Sequence, residues 1–149
     1  MECNPDPETE SMGRRNLEYL RSIDAAWNRR QWDDYAGLLD DDLVAWMSGD
    51  QEPHGKAEHV LRAQRFCAMF PDSHVEEEYL DLILSLDGHK TCSVAVMTGS
   101  GPESGARFRI TFALICKWRE GRVVEQREYI DRELFEKQLG HPTLESGEH

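Results

Sequence analysis

The chain has 149 residues, is 39% hydrophobic and 31% charged, and carries a formal net charge of −12. That is enough chain for one domain with its own core, and it has no run of about eighteen apolar residues to cross a membrane. The acidic balance repels phosphate backbones and argues against nucleic acid as a partner, while leaving a neutral, apolar small molecule open.

The opening stretch "MECNPDPETE" lacks the basic and apolar regions of a secretory signal, so the expectation is a cytoplasmic protein. Residues 1–11 combine Pro5, Pro7 and several acids and read as a disordered tail. A helix follows in "NLEYLRSIDAAWNRR", with Leu17, Leu20, Ile23, Ala26 and Trp27 at helical spacing. "QWDDYAGLL" is a short second helix with Trp32, Tyr35, Leu38 and Leu39 on one stripe. A strand runs from Leu43 to Met47, and "SGDQEPHG" is a loop. "KAEHVLRAQRFCAMF" is a third helix that Pro71 stops.

The period then changes. "HVEEEYLDLILSL", "KTCSVAVMTGS", "ARFRITFALICKW" and "RVVEQREYI" are rich in β-branched and aromatic residues, and "DGHK", "GPESG" and "REGR" separate them. They read as an antiparallel meander. A closing helix over residues 132–139 ends at Gly140, and residues 141–149 read as a loose tail. The expected class is α+β, a single domain over residues 12–140. Its curved antiparallel sheet wraps around the N-terminal helices as a cone, and the concave apolar interior suits a small molecule.

Several chemistries lack their signatures. Cys3, Cys67, Cys92 and Cys116 form no C-x-x-C pair and read as reduced thiols. His54 and His59 are five apart, a poor spacing for a shared metal on a helix, and no metal site is expected; His59 reads as solvent-facing or as a helix cap. The glycines of "GSGPESG" join two strands, which is not a phosphate-binding turn.

The order "AWNRRQWDDYAGLLDDDLVAW", "HGKAEHVLRAQRFCAMFPD", "WREGRVVEQREYID", "QLG" resembles the SnoaL-like polyketide cyclase family, of the nuclear-transport-factor-2-like superfamily, over roughly residues 14–142. The resemblance implies a cofactor-independent cyclase or isomerase acting on a carbonyl-bearing natural product. It places the family's general base, an acid at the end of the last strand, at Asp131. It places the histidine that accompanies that base at Leu114, which can neither donate nor relay a proton. His54, in a loop, is the expected substitute.

Asp131 is equally a good N-cap for the closing helix. By period two, Glu125, Arg127, Tyr129 and Asp131 share one strand face, so Arg127 and Tyr129 are expected beside the ligand if Asp131 points inward. Trp46 and Met47 end the first strand at the expected cone mouth. Phe66 and Phe70 on the third helix, with Phe112 and Leu114 on the apolar strand face, complete the expected substrate-binding set. The opposite face of that strand, with Arg107, Arg109, Thr111, Ala113, Ile115 and Lys117, is expected to pack a second sheet in a homodimer. Two other uses of the fold remain open: epoxide opening or hydroxylation with paired acids, and a non-catalytic ligand-binding or dimerisation module.

Overall fold

The computed structural model of the protein describes residues 6–140. The tail expectations for 1–5 and 141–149 fall outside the described residues. Helix α1 (Pro7–Arg29) starts further upstream than the sequence reading placed it. Asp6 accepts a hydrogen bond from the Thr9 N–H at 2.8 Å, and Pro7 sits where a missing N–H costs nothing. Glu8 and Glu10 face the positive end of the helix dipole. The proline and acids that read as disorder are therefore a helix start. At the other end, Arg30 takes a left-handed conformation (φ 60°). Its guanidinium donates to the carbonyls of Pro71 and Ser73, each at 2.9 Å, tying α1 to the end of the third helix.

Helix α2 (Trp32–Gly37), strand β1 (Leu39–Met47) and helix α3 (Lys56–Met69) follow. The second half holds β2 (His74–Val75), β3 (Asp81–Leu84), β4 (Lys90–Ser100), β5 (Arg107–Arg119), β6 (Arg122–Ile130) and α4 (Arg132–Gln138). The segment expected as one strand over 74–86 is two short strands on the same edge of β4. Between them, Glu76 donates to the Val96 carbonyl and Leu80 to the Val94 carbonyl, both at 2.8 Å. The extra chain between these two bonds is looped out, and it delivers Tyr79 to α1.

The six-stranded sheet has the order β1-β6-β5-β4-β2, with β3 also paired to β4. From β4 to β6 it is the expected antiparallel meander, but β1 runs parallel to β6, so the sheet is mixed rather than wholly antiparallel. No short connection joins β1 to β6, so nothing imposes hairpin geometry on that pair.

The β5–β6 hairpin decides what faces the interior. Its turn, Glu120 and Gly121, has φ of 50° and 78°, the backbone of a two-residue turn with both residues left-handed. Arg119 pairs with Arg122 and Trp118 with Val123, but Lys117 pairs with Glu125. Val124 is an extra residue, a β-bulge, and beyond it every side chain of β6 changes face. On β5, Phe108, Ile110, Phe112, Leu114, Cys116 and Trp118 are buried as expected. The β6 residues on their side are Gln126, Glu128 and Ile130, opposite Cys116, Leu114 and Phe112. Glu125, Arg127 and Tyr129 are on the other face, which corrects the expected parity.

Two apolar clusters fill the cone. One joins α1, α2 and β1 to the turn end of β5 and β6, with Leu20, Ile23, Leu39, Leu43 and Trp118. The other lies under α4, where Phe70, Phe108 and Phe135 pack mutually edge to face at 5.0–5.6 Å between ring centroids.

Candidate active site

The seam between the two clusters is left open. A cavity of about 240 Å³ is walled by Trp27, Trp46, Met47, Phe66, Met97 and Ile130, and it also takes in Tyr35, His54, His59, Arg62 and Glu128. An inner recess of about 80 Å³ shares Tyr35 and Glu128 with it and adds Asp24, Phe112, Leu114 and Gln126. A groove of about 390 Å³ with a more polar lining lies between α1 and residues 74–79, with Asp24 and Tyr79 in its wall. The cavity with apolar walls and converging polar groups is the better candidate for chemistry.

Glu128 is the acid in that cavity. No hydrogen bond or ion pair engages its carboxylate among the described residues. Burial raises its carboxyl to about 7, with the negative charges of Asp24 and Asp50 adding to the effect. Asp24, on α1, is the second acid. Burial raises it to about 6, although the Tyr79 hydroxyl, which donates to Oδ2 at 2.6 Å, pulls the other way.

A chain of polar side chains crosses the opposite wall. The loop after β1 folds back so that Ala45 and His54 exchange two backbone hydrogen bonds of 2.9 Å, seating the His54 ring inside. His54 Nε2 lies 2.8 Å from His59 Nδ1, and His59 Nε2 lies 3.1 Å from the Gln126 amide nitrogen. The Cys116 thiol, 3.9 Å from the Gln126 carbonyl oxygen, orients that amide. With Gln126 donating to His59 Nε2, His59 Nδ1 carries the proton and donates to His54. His54 Nδ1 is left buried without a hydrogen bond, 3.4 Å from Asp50 Oδ2.

Burial lowers both histidines. His59 falls to about 4, with the charges of His54 and Arg62 adding to the effect. His54 falls through burial and Arg62, against Asp50. Asp50 itself stays below the ordinary carboxyl range: burial opposes this, but the Met47 N–H and Arg62 outweigh it. His59 was expected at the surface; it is only 9% exposed, because it shares the inner stripe of α3 with Ala63 and Cys67.

Of the residues singled out from the sequence, His54, Trp46, Met47 and Phe66 line the main cavity, and Phe112 and Leu114 line the recess. Phe70 is packed in the aromatic cluster and is not part of the cavity lining. Arg127 faces the other side of the sheet, where its guanidinium lies 5.3 Å over the Trp46 ring, and Tyr129 is 49% exposed there. Asp131 is the N-cap of α4, accepting from the Leu134 N–H at 2.9 Å, and lines neither chamber. The residues that sequence reasoning missed are Asp24, Tyr35, His59, Gln126 and Glu128. Asp24 had a readable signal, an acid four positions from Leu20 on an apolar helical stripe.

No group of three or more histidine, cysteine, aspartate or glutamate side chains is arranged to hold a metal ion among the described residues. No helix there is long and apolar enough to cross a membrane.

Residues 18–139 match the profile of the SnoaL-like polyketide cyclase family. Solved structures share the fold. IdmH of Streptomyces antibioticus, a candidate polyketide cyclase, is 21% identical with a TM-score of 0.74, covering 84% of this chain and 98% of its own. AclR of Streptomyces galilaeus, a candidate hydroxylase, is 17% identical with a TM-score of 0.72, over 84% and 95%. An LEH-like epoxide hydrolase of M. tuberculosis is 17% identical with a TM-score of 0.68, over 89% and 92%. No curated protein matches the chain. At these identities the solved structures establish the α+β cone of the nuclear-transport-factor-2-like fold and no reaction.

Proposed function

The chain belongs to the SnoaL-like polyketide cyclase family, and on that footing we propose that it is a cofactor-independent cyclase or isomerase whose general base is Glu128. The substrate is a carbonyl-bearing natural-product intermediate that fits an apolar cavity. The observation that carries the reading is the unpaired Glu128 carboxylate shared by both chambers, with its carboxyl raised to about 7. A base poised near neutrality can take a proton from a carbon acid and return it. Register supports the same residue. The resemblance sets a histidine beside the base at Leu114, and the strand partner of Leu114 is Glu128, not Asp131.

The carboxylate removes a proton next to the carbonyl, and the C–H electron pair becomes the double bond of an enolate. The enolate carbon then attacks a second carbonyl of the folded chain, whose C=O π pair becomes an alkoxide that takes the proton back from Glu128; in an isomerisation the conjugated enolate instead takes that proton at another carbon. Trp27, Phe66 and Met97 hold the chain in place, and positioning supplies much of the rate. His54 acts as a positioning residue: its Nε2 is engaged with His59 and its Nδ1 is turned toward Asp50.

Hydrogen–deuterium exchange next to the carbonyl of small cyclic ketones, followed by NMR in D2O, tests the base. Wild type and Asp131→Asn exchange the label and Glu128→Gln does not. Exchange by Glu128→Gln at the wild-type rate overturns the assignment.

A second reading has its own support. Asp24 and Glu128 line one recess, and two acids around a water are what epoxide opening needs. Asp24→Asn would then abolish turnover, whereas in the cyclase reading it alters the pH profile. A non-catalytic module predicts an interior filled by side chains, and the open cavity counts against it.

A further inference from the structure

A base is half of what proton abstraction beside a carbonyl requires. Charge moves to the carbonyl oxygen, and in an apolar cavity that oxygen needs a donor. The family's histidine position is Leu114, so the donor must come from elsewhere. Most polar side chains around the two chambers are already engaged. His54 and His59 bond each other, His59 bonds Gln126, Tyr79 bonds Asp24, and Arg62 pairs with Asp50 and Glu58.

Tyr35 is different. It is 6% exposed and lines both chambers, as Glu128 does. Among the described residues its hydroxyl has no hydrogen-bond partner, yet it is not a sealed, orphaned group. Its ring is held on two sides: Trp32 meets it edge-on at 5.5 Å and 87°, and His59 lies parallel to it at 6.2 Å and 9°. A clamped ring fixes where the O–H can point, which is the preorganisation that an oxyanion donor needs.

We infer that Tyr35 is a further catalytic residue, donating its hydroxyl proton in a hydrogen bond to the carbonyl oxygen of a compact cyclic ketone or enone as Glu128 takes the neighbouring proton. This deepens the Glu128 reading and rests on it for the step, though not for the binding. In that step the C–H bond breaks, the proton goes to the Glu128 carboxylate, the electron pair forms the C=C bond, and the enolate oxygen keeps the charge under the Tyr35 O–H. Burial, then the negative charges of Glu128 and Asp24, raise the Tyr35 hydroxyl well above its ordinary value, so it stays a donor throughout. The size of the ligand follows from the volume. With a cavity of about 240 Å³ and a recess of about 80 Å³, the site is at the small end of the ~300–1,000 Å³ of drug-sized ligand pockets. One or two fused rings fit it better than an extended tetracycle.

The phenolate of 4-nitrophenol imitates the enolate oxygen, and nitrobenzene is the same ring without it. Binding of both is measured for wild type, Tyr35→Phe and Glu128→Gln, alongside thermal unfolding. The expected result is at least tenfold weaker nitrophenolate binding in Tyr35→Phe, unchanged nitrobenzene binding, and an unfolding temperature no lower than wild type. Glu128→Gln is expected to bind nitrophenolate at least as tightly as wild type, because a negative charge has gone. Equal loss of both ligands in Tyr35→Phe, no preference of wild type for the phenolate, or a marked fall in stability of Tyr35→Phe overturns the inference. Failure of the base reading looks different: Glu128→Gln still exchanges ketone protons while Tyr35→Phe still loses the phenolate.

Discussion

Replacing Glu128 with Gln removes a buried charge that the fold tolerates at a cost, and the size of that cost follows from the structure. Glu128 faces Asp24 from α1, Tyr35 from α2, Leu114 from β5, and the His54, His59 and Arg62 side of the cavity. Its carboxyl moves from an ordinary 4.5 to about 7. The folded state therefore binds this proton more tightly than the unfolded chain does. The stability this contributes is fully present below pH 4.5 and is lost as pH rises to about 7. At about 1.36 kcal/mol per pH unit, ionised Glu128 costs the fold about 1 kcal/mol at pH 5 and about 3 kcal/mol at pH 8. The larger figure is an upper bound, because Glu128 keeps some accessible surface that cavity water can solvate. Gln does not titrate, so any constant difference between Gln and protonated Glu cancels between the two pH values. Urea unfolding of both proteins at pH 5 and pH 8 reads the change. The variant should gain about 2 kcal/mol on wild type between them. A difference that does not change with pH would refute the claim that this carboxylate is desolvated.

Other perturbations separate site from scaffold. Asp131→Ala removes the α4 cap and costs about 1 kcal/mol of stability by thermal unfolding, while ligand binding and exchange stay at wild-type levels. Thr91→Val deletes the acceptor of the buried Trp118 indole N–H, 2.9 Å away, and chemical denaturation should show a loss of about 1–3 kcal/mol. The outer sheet face presents Val44, Ile83, Ile115 and Tyr129, each at least 36% exposed, and the proposal that a second copy covers it predicts a dimer by light scattering that Ile115→Asp turns into monomer.

The helical stripes, the turn chemistry and the change of period after Pro71 were all legible in the sequence, and they were enough to set the class of the fold. The start of the first helix is hidden in the sequence because Asp6 and Pro7 carry the composition of a tail and the geometry of a cap. The site was harder for one reason. A two-residue Glu120–Gly121 turn sets a register that would put Glu125, Arg127 and Tyr129 inside, and the Val124 bulge reverses it. No residue type announces a bulge at two adjacent valines, so period two alone sets Glu128 on the face opposite Tyr129 without saying which face is inside. His59 is ambiguous for another reason: it lies on the same helical stripe as Ala63 and Phe66, but a histidine near a helix start also reads as a surface residue.

Glu128 is the acid in this cavity, and burial raises its carboxyl to about 7. Carbon-13 NMR of the labelled Glu128 side-chain carboxyl, followed through a pH titration of the intact protein, tests it most directly. The expected midpoint is near 7, moving downward in Asp24→Asn as a neighbouring negative charge is lost. A midpoint near the ordinary 4.5, unchanged in Asp24→Asn, would contradict it.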